Sequence, residues 1–396
     1  MTETPQRAKP FEIAVPQAEL DRILERVRAF DWDAVPALDG WALGTNHAWL
    51  RELAAYWGDG FDWRRVESDL NRFPTFTADV GGQRLHFVHE QGSGGSPTPL
   101  LLLHGWPYSF ASFAGVIEPL AHPERFCGDA EDGFDVVVAS LPGYGFSGKP
   151  PAPTGPKAMG GLLNSLMTDV LGFEHYLVQG GDFGGFIASR LGFDHPEHVL
   201  GVHSNSFMVR HEGAALGGGS AGEGASPEEQ AFAQGEAQGF MAEGGYAVIQ
   251  GTRPQSLGFA MQDSPIGAAA WMLEKFYSWS DHRERPFDEV FTREQLLTEV
   301  MVYLLTDTFT TSTWIYSAYF MEGSATLPKG ERVGVPTAFA AFPDPVFAPP
   351  PRALMERSHR VVQWTTPARG GHFPALEVPD LYVEDVRRFT RTLKGS

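Results

Sequence analysis

The chain has 396 residues, a formal net charge of −19, 42% hydrophobic residues and a single cysteine, Cys127. The negative charge argues against nucleic acids and anionic membranes as partners, because both are bound through basic patches. One cysteine excludes an internal disulfide and a cysteine-based metal site. No apolar run approaches the roughly 20 residues that span a bilayer, and the opening MTETPQRAKP lacks the apolar core of a signal peptide. A soluble, cytoplasmic protein without a membrane anchor is therefore expected.

The amino-terminal part of the sequence predicts amphipathic helices followed by a hairpin. Apolar residues recur at helical spacing in AELDRILERVRAF, and NHAWLRELAAYWGDGFDWRRVESDLNRF repeats the pattern with several aromatic residues. TADV and RLHFVHE then predict two strands joined by the turn GGQ. The aromatic residues need a partner surface, which a homodimer or the chain's own core could supply.

From residue 100 onward, short apolar runs alternate with helical segments. LLLLHGWP, FDVVVASLPGYG, HYLVQGG and VLGVHSNSF predict strands covered on both faces, and GGLLNSLMTDVLGF predicts a helical crossover. GVPTAFAAF, HRVVQWTT and the amphipathic helix VPDLYVEDVRRFTRTLK complete the pattern. Strands that alternate with helices indicate an α/β fold with a mostly parallel sheet and right-handed crossovers.

A large insertion interrupts this alternation. Its low-complexity stretch GAALGGGSAGEGASPEE (213–229) predicts a mobile loop, and its remainder is helix-rich and aromatic. Loops that leave the carboxyl ends of parallel strands cover the active face, so the insertion is expected to form a lid. The sequence thus divides into an amino-terminal extension (1–95), a first core part (96–206), a helical lid (207–330) and a second core part (331–396).

VQGGDFGG (178–185) sets one carboxylate, Asp182, among four glycines. A strand, a small-x-nucleophile-x-small turn and a helix form the nucleophile elbow of α/β-hydrolase folds, in which small residues permit a strained turn. A glycine-rich turn with an acidic helix cap is the alternative interpretation. A carboxylate of ordinary pKa, about 4, is already ionised at neutral pH and suits attack on the saturated carbon of an epoxide or alkyl halide. The product would be an ester that a base and water hydrolyse.

Two other motifs carry less weight. Gly218–Gly222 fits the G-x-S-x-G pattern with Ser220, but it lies in the low-complexity loop without a preceding strand. Gly143–Gly148 fits the dinucleotide-binding pattern G-x-G-x-x-G and follows a strand. The prolines of KPPAPTGP then prevent the immediate helix whose amino end would bind a pyrophosphate. Neither a serine nucleophile nor a nucleotide site is expected.

The chain order nucleophile, acid, histidine predicts the partners of Asp182. RGGHFPALE places His372 as the base in a glycine-flanked loop, and AAFPDPVFAPP offers Asp344 as the orienting acid. Asp344 could instead be a turn aspartate between two prolines. The backbone N–H groups of Phe183 and Trp106 are the expected oxyanion donors, since the proline after Trp106 has no N–H.

Opening an epoxide also requires a hydroxyl donor for the ring oxygen, and tyrosines suit that role. The expected lid contains five of them: Tyr246, Tyr277, Tyr303, Tyr316 and Tyr319. Buried tyrosines more often pack than react, so residue chemistry alone leaves the choice open.

These features resemble one family over nearly the whole sequence, the microsomal-type epoxide hydrolases. FDWRRVESDLNRFPTFTADVGGQRLHFVHE looks like that family's own amino-terminal domain. LLLHGWPYSFASF, LPGYGFSGKP, GGDFGG, GGYAVIQGTRPQSLGFAMQDSPIGAAAWMLEKFYSW and RGGHFPALEVPDL are similar to its motifs and occur in the same order. The resemblance implies an α/β-hydrolase fold with a helical lid insertion and an amino-terminal helical extension.

The resemblance also implies roles for individual residues. Asp182 would be the nucleophile and His372 the base. Tyr246 in GGYAVIQ and Tyr316 in STWIYSAYF would donate to the ring oxygen. One departure concerns the acid, because the family often has F-P-x-Glu, which places the carboxylate at the position of Pro345 rather than at Asp344. Membrane-associated members carry an amino-terminal anchor that this sequence lacks, and neither a cofactor nor a metal is implied.

The expected reaction is hydrolysis of an epoxide to a vicinal diol. Lid aromatics suggest a bulky apolar or aromatic epoxide, met in natural-product biosynthesis or in detoxification such as aromatic hydrocarbon catabolism. These are Phe240, Phe259, Trp271, Phe276 and Trp314, most of which could instead belong to the core. A haloalkane dehalogenase would share the aspartate, histidine and acid, but would replace the tyrosines with halide-binding groups such as a Trp N–H. A non-catalytic binding protein on the same scaffold is the alternative from another class, to which only the displaced acid points.

Overall fold

A nine-stranded sheet runs through the centre of the computed structural model, which describes residues 7–394. The strands are β1 (Lys9–Pro10), β2 (Thr75–Val80), β3 (Gln83–Glu90), β4 (Thr98–Leu103), β5 (Phe134–Ala139), β6 (Tyr176–Gly180), β7 (Val199–Ser204), β8 (Val333–Ala340) and β9 (His359–Thr365). Their order is β1-β2-β3-β5-β4-β6-β7-β8-β9. The pairs from β1 to β5 along this order are antiparallel, and all later pairs are parallel. The mostly parallel sheet of an α/β-hydrolase is confirmed.

The central strands are covered on both faces. Leu100 to Leu103 of β4 and Val136 to Ala139 of β5 are almost completely inaccessible to solvent. Strands buried in this way are uniformly apolar instead of alternating with polar residues, which explains their runs in the sequence.

The hairpin of β2 and β3 turns through Gly81 and Gly82, both at positive φ (59° and 83°). Two such residues make the type I′ turn, whose twist matches that of the flanking strands. The hairpin predicted from TADV, GGQ and RLHFVHE is present.

Sixteen α-helices surround the sheet within the described residues. They are α1 (Gln17–Arg28), α2 (His47–Asp59), α3 (Trp63–Leu70), α4 (Ala114–Ala121), α5 (Pro156–Ser165), α6 (Asp182–Asp194), α7 (Pro227–Glu243), α8 (Gly245–Thr252), α9 (Pro254–Asp263), α10 (Pro265–Trp279), α11 (Phe287–Val290), α12 (Arg293–Leu305), α13 (Phe309–Glu322), α14 (Arg352–Glu356), α15 (Pro374–Glu377) and α16 (Pro379–Lys394). A π-helical turn, Leu166–Val170, extends α5. No helix among residues 7–394 is long and apolar enough to cross a membrane.

The amino-terminal helices pack on the rest of the chain through apolar stripes. α1 buries Leu20, Ile23 and Val27, and it contacts α10 and α12. Trp41 stacks on Tyr277 of α10, with ring centroids 4.0 Å apart. The aromatic residues of this part therefore contact the chain's own helices, which is one of the two alternatives that the sequence left open.

The helices α7 to α13 lie between β7 and β8 and form what we call the helical insertion. Within it, α13 packs against α8 and α9. The loop predicted for residues 213–229 ends at residue 226, because Ser226 and Glu229 form a capping box that starts α7 at Pro227. Arg357 donates to the carbonyl oxygens of Glu223 and Gly224 in this loop, at 2.9 and 2.7 Å.

Candidate active site

Asp182 lies at the turn between β6 and α6 with a left-handed φ of 50°. This conformation is unfavourable for a non-glycine residue and is typical of residues that a fold holds in place for function. Close backbone contacts require the neighbouring glycines. A Cβ at Gly180 would overlap the carbonyl of Gly184, and a Cβ at Gly184 would overlap the carbonyl oxygen of Leu103. Gly180 and Gly184 are thus explained by a tight turn that packs against β4.

Two groups contact the carboxylate of Asp182, which is 8% exposed. The backbone N–H of Trp106 donates to Oδ1 at 3.0 Å, and Nε2 of His372 lies 3.3 Å from Oδ2. Trp106 follows β4, the strand next to β6, so both loops reach the same edge of the sheet. Phe183 lies in the first turn of α6, where N–H groups have no acceptor within the helix. Both residues expected to supply oxyanion donors therefore adjoin Asp182.

His372 lies between β9 and α15 and contacts two carboxylates. In addition to its contact with Asp182, its Nδ1 is 2.8 Å from Oδ2 of Asp344. Burial lowers the pKa of His372, but the hydrogen bonds with Asp182 and Asp344 outweigh burial and raise the pKa to about 10. The imidazole between the two carboxylates is therefore protonated at neutral pH.

Asp344 follows β8 and uses its two carboxylate oxygens for different purposes. Oδ1 accepts the N–H groups of Val346 and Phe347, each at 2.8 Å, which makes a side-chain turn. Oδ2 contacts the imidazole of His372. The turn aspartate expected as one alternative is present, and the same residue makes the contact with His372 that an orienting acid would make.

Tyr246 of α8 and Tyr316 of α13 line the same cavity as Asp182. Their ring centroids are 5.7 Å apart, and Trp106 stacks on Tyr246 at 5.5 Å. Burial raises the pKa of both phenols well above its ordinary value, and the charge of Asp182 raises it further. Both hydroxyls therefore keep their protons at neutral pH. The Tyr316 hydroxyl makes no hydrogen bond within 3.5 Å to a described residue, although Tyr246 is close enough to influence its pKa.

The other three tyrosines of the helical insertion are placed differently. Tyr277 stacks on Trp41, and the buried Tyr303 donates its hydroxyl to the carbonyl oxygen of Tyr108 at 2.8 Å. Tyr319 does line the cavity, and burial raises its pKa to about 12. The cavity therefore carries three phenols, including the pair that the resemblance selected.

The cavity above Asp182 encloses about 830 Å³, including its opening to solvent. Its apolar lining comes from the start of α6, from the loops after β7 and β8 and from the helical insertion. These residues are Phe183, Phe207, Met208, Leu216, Phe240, Ala247, Phe320, Phe347 and Ala348. The ion pair of the buried Arg210 with Glu236 (2.6 Å) also borders the cavity.

The aromatic residues from which the sequence suggested a bulky epoxide lie mostly outside the cavity. Among the five, Phe240 alone lines the cavity. Phe276 is fully buried in the core, Phe259 is 74% exposed on the outer surface, and Trp271 donates to Gln250 at 2.8 Å. The other four lie outside the cavity, because composition does not show which face of a helix turns toward the site.

Two further residues adjoin the site without having been identified from the sequence. Asn205 lines the cavity directly after β7, a position at the carboxyl edge of the sheet that could have signalled it. The ring of Trp279 lies 4.8 Å from that of His372, and its carbonyl oxygen accepts the His372 N–H at 3.0 Å. No sequence signal distinguished this tryptophan. Residues 7–394 contain no group of three or more potential metal ligands.

The fold and these contacts define an α/β-hydrolase with an aspartate at the nucleophile elbow. Residues 8–113 match the family described as epoxide hydrolase N terminus, and residues 98–216 match the alpha/beta hydrolase fold family. A putative epoxide hydrolase from Stigmatella aurantiaca is 36% identical over 98% of this chain and 85% of its own length. Epoxide hydrolase 1 from Sus scrofa is 32% identical, over 98% and 89% of the two chains.

Solved structures agree with the sequence relatives. The epoxide hydrolase of Aspergillus niger is 30% identical and superposes with a TM-score of 0.79, covering 98% of this chain and 96% of its own. The chain belongs to the microsomal-type epoxide hydrolase family. It is an enzyme that hydrolyses epoxides.

Proposed function

We propose that this enzyme opens its epoxide through a covalent ester on Asp182, with Tyr246 and Tyr316 as donors to the ring oxygen. His372, oriented by Asp344, then activates the water that hydrolyses the ester. The observation that carries the proposal is the convergence of these groups. One buried carboxylate contacts a backbone N–H and an imidazole, and protonated phenols line the cavity above it.

In the first step, Oδ2 of Asp182 attacks an epoxide carbon and the bond from that carbon to the ring oxygen breaks. Both carboxylate oxygens have a partner: Oδ1 accepts the Trp106 N–H at 3.0 Å, and Oδ2 lies 3.3 Å from Nε2 of His372. The longer contact makes Oδ2 the proposed attacking atom. The electron pair goes to the ring oxygen, which takes a proton from one of the two phenols. Tyrosine donors are suited to this, since their raised pKa keeps them protonated until an alkoxide develops.

Ester formation changes the state of the base. The ester no longer carries the negative charge that held the proton on His372, so the pKa of His372 falls when Asp182 is alkylated. The proton that His372 releases returns to the tyrosinate. The neutral imidazole then takes a proton from water as the water oxygen attacks Cγ of Asp182. Trp106 and Phe183 donate backbone N–H groups to the oxyanion, a contribution of about 10²–10³-fold per donor in other hydrolases.

The tetrahedral intermediate collapses with cleavage of the ester C–O bond. The diol leaves with the proton from His372. The carboxylic acid that remains at Asp182 gives its proton to the imidazole, which restores the carboxylate of Asp182 and the protonated His372. The balance is one epoxide and one water consumed for one vicinal diol formed. No metal or cofactor takes part in this sequence of steps.

The lining of the cavity supports an apolar, bulky epoxide as substrate. Phe207, Phe320 and Phe347 surround the space above the carboxylate, and the ion pair of Arg210 with Glu236 satisfies the charges at its edge. Natural-product biosynthesis and detoxification both supply epoxides of this kind. We further propose that residues 1–95, 207–330 and the two core parts act as extension, lid and hydrolase core.

Halide release is less well supported than epoxide opening. The indole N–H of Trp106 is buried without a partner among the described residues, as a halide donor would need. Trp106 does not line the cavity, however, whereas the two phenols do. The donors therefore fit a developing alkoxide better than a departing halide.

A trapping experiment tests the proposal. His372→Gln removes the base, so the ester on Asp182 should form and persist. Intact mass would be recorded after exposure to aromatic and aliphatic epoxides and alkyl halides. A gain equal to a whole epoxide, mapped to the peptide that contains Asp182 and absent from the His372→Gln, Asp182→Asn double variant, is expected. Absence of any adduct with an epoxide that the wild type hydrolyses would contradict covalent catalysis, and a gain equal to an alkyl group would indicate dehalogenation.

A further inference from the structure

The loop that carries His372 is fastened by an unbroken run of backbone hydrogen bonds. Four consecutive N–H groups donate to acceptors outside the run: Gly370 to Oδ2 of Asp281 (3.0 Å), Gly371 to Oε2 of Glu377 (2.9 Å), His372 to the carbonyl oxygen of Trp279 (3.0 Å) and Phe373 to Oε1 of Glu377 (2.8 Å). Three of these four acceptors would be lost if Asp281 and Glu377 lost their carboxylates.

The hydrogen bonds of Glu377 explain why this position requires a carboxylate. In addition to the two N–H groups of the loop, Oε2 accepts the N–H of Asp281 at 2.8 Å. The side chain is buried, and both of its oxygens receive backbone donors. A glutamine would present an NH₂ group to at least one of these donors, so the amide cannot replace the carboxylate here.

Asp281 connects the same loop to the helical insertion. It lies two residues after Trp279, the last residue of α10. Its backbone N–H donates to Glu377, and its Oδ2 accepts the N–H of Gly370. A Cβ at Gly371 would lie 2.6 Å from the carbonyl oxygen of Trp279, so the two backbones are in direct contact. The position of the base is therefore set from the insertion as well as from β9.

We propose that Glu377 and Asp281 are positioning residues for His372, which hold its loop against the end of α10 so that Nε2 faces Asp182. This inference rests on the proposed function, in which His372 acts only after the ester has formed. Neither residue lines the cavity, and neither touches Asp182 or the tyrosines. Their loss should therefore slow ester hydrolysis and spare ester formation.

Single-turnover kinetics with Glu377→Gln test the inference. Quenched samples would be weighed as intact protein to follow the rise and decay of the ester. We expect formation within about threefold of the wild type and decay slower by about 10- to 100-fold, the scale of a small misplacement of a catalytic group. In the steady state kcat and KM should then fall together, since the ester accumulates.

Glu299→Gln is the matched control. Glu299 is also a buried glutamate, burial also raises its pKa to about 7 as it does for Glu377, and it accepts from Ser112 at 2.6 Å rather than from the loop of His372. This control should keep normal ester decay. Equal decay rates in Glu377→Gln and Glu299→Gln would overturn the inference.

A second pair of variants tests the same inference if Glu377→Gln does not fold. Asp281→Ala removes the acceptor for Gly370. Asp281→Asn can keep an oxygen toward Gly370, and its NH₂ group then replaces the oxygen that pairs with Arg283. Slow ester decay in Asp281→Ala with recovery in Asp281→Asn supports positioning, and equal behaviour of the two would contradict it. His372→Gln serves as the reference variant. If it accumulates the ester while the Glu377 and Asp281 variants hydrolyse theirs at the normal rate, this inference alone is rejected. If His372→Gln forms no ester, the proposed function is rejected.

Discussion

Nδ1 of His372 lies 2.8 Å from Oδ2 of Asp344, while the other oxygen of the same carboxylate accepts two backbone N–H groups. One short acidic side chain thus closes its own loop and contacts the imidazole. The family resemblance places a longer acid at the next position, which is Pro345 here. A shift of one residue toward β8, with a side chain one methylene shorter, still brings a carboxylate to His372.

Asp344→Asn should separate the two steps of the reaction. The amide oxygen can still accept from Val346 and Phe347, so the loop should persist, but the imidazole loses a charged partner and its fixed tautomer. We expect ester hydrolysis to slow by about 10²–10⁴-fold while the ester forms at nearly the normal rate. Rapid-quench mass measurements check both rates. Wild-type hydrolysis in Asp344→Asn would show that another acid orients His372.

The two proposed ring-oxygen donors are distinguished from the third phenol of the cavity by substitution. Tyr246→Phe and Tyr316→Phe should each slow ester formation by about 10–10²-fold, and the double variant should slow it further, because general acids contribute about 10²–10⁴-fold in total. Tyr319→Phe is the control, as it lies on the same helix as Tyr316 and lines the same cavity. If Tyr319→Phe slowed ester formation as much as the other two substitutions, Tyr246 and Tyr316 would not be the specific donors to the ring oxygen.

The raised pKa of His372 predicts how stability depends on pH. Its pKa of about 10 in the folded protein lies above the ordinary 6.5, so protonated His372 stabilises the fold fully below pH 6.5. This stabilisation is lost as the pH rises through 10. The difference in unfolding free energy between wild type and His372→Gln should therefore shrink between pH 6.5 and 10, as measured by urea denaturation at each pH. A difference that stays constant would mean that the pKa is not raised.

The close packing of the nucleophile elbow predicts that the stability of the fold depends strongly on the glycines of this turn. Gly184→Ala should destabilise the fold by about 2–4 kcal/mol, because the new Cβ overlaps the backbone of β4 and the strand or the turn must move. Gly161→Ala is the matched control, since Gly161 lies inside α5 with open space around it. That change should be neutral or stabilising by about 0.5–1 kcal/mol. Denaturant unfolding of both variants provides the comparison, and equal effects would contradict the packing account.

Much of the fold follows from local patterns in the sequence. Doubly covered strands such as Leu100–Leu103 are uniformly apolar, and the Gly81–Gly82 turn between two alternating runs marks the hairpin. The elbow was also predictable, because few structures need an acid among four glycines. The start of α7 was missed by three residues, since the capping pair of Ser226 and Glu229 lies inside a stretch whose composition resembles a loop.

The site was less predictable than the fold. Chain order indicated His372 and Asp344, but the choice of Tyr246 and Tyr316 required the family resemblance, because orientation of a helix face is a tertiary property. The same limit applies to Phe276 and Phe259, which lie outside the cavity. Glu377 carried no signal at all, since its role depends on backbone groups that only the folded chain brings together.

The ester on Asp182 is tested most directly by following oxygen through one turnover. Enzyme in excess over epoxide would be reacted in H₂¹⁸O, and both the diol and the peptide containing Asp182 would be weighed. The account predicts an unlabelled diol and one ¹⁸O in the carboxylate of Asp182, because water attacks the ester carbonyl and the diol takes its oxygen from the enzyme. Labelled diol with an unlabelled Asp182 in that first turnover would contradict it, since water would then have attacked the epoxide itself.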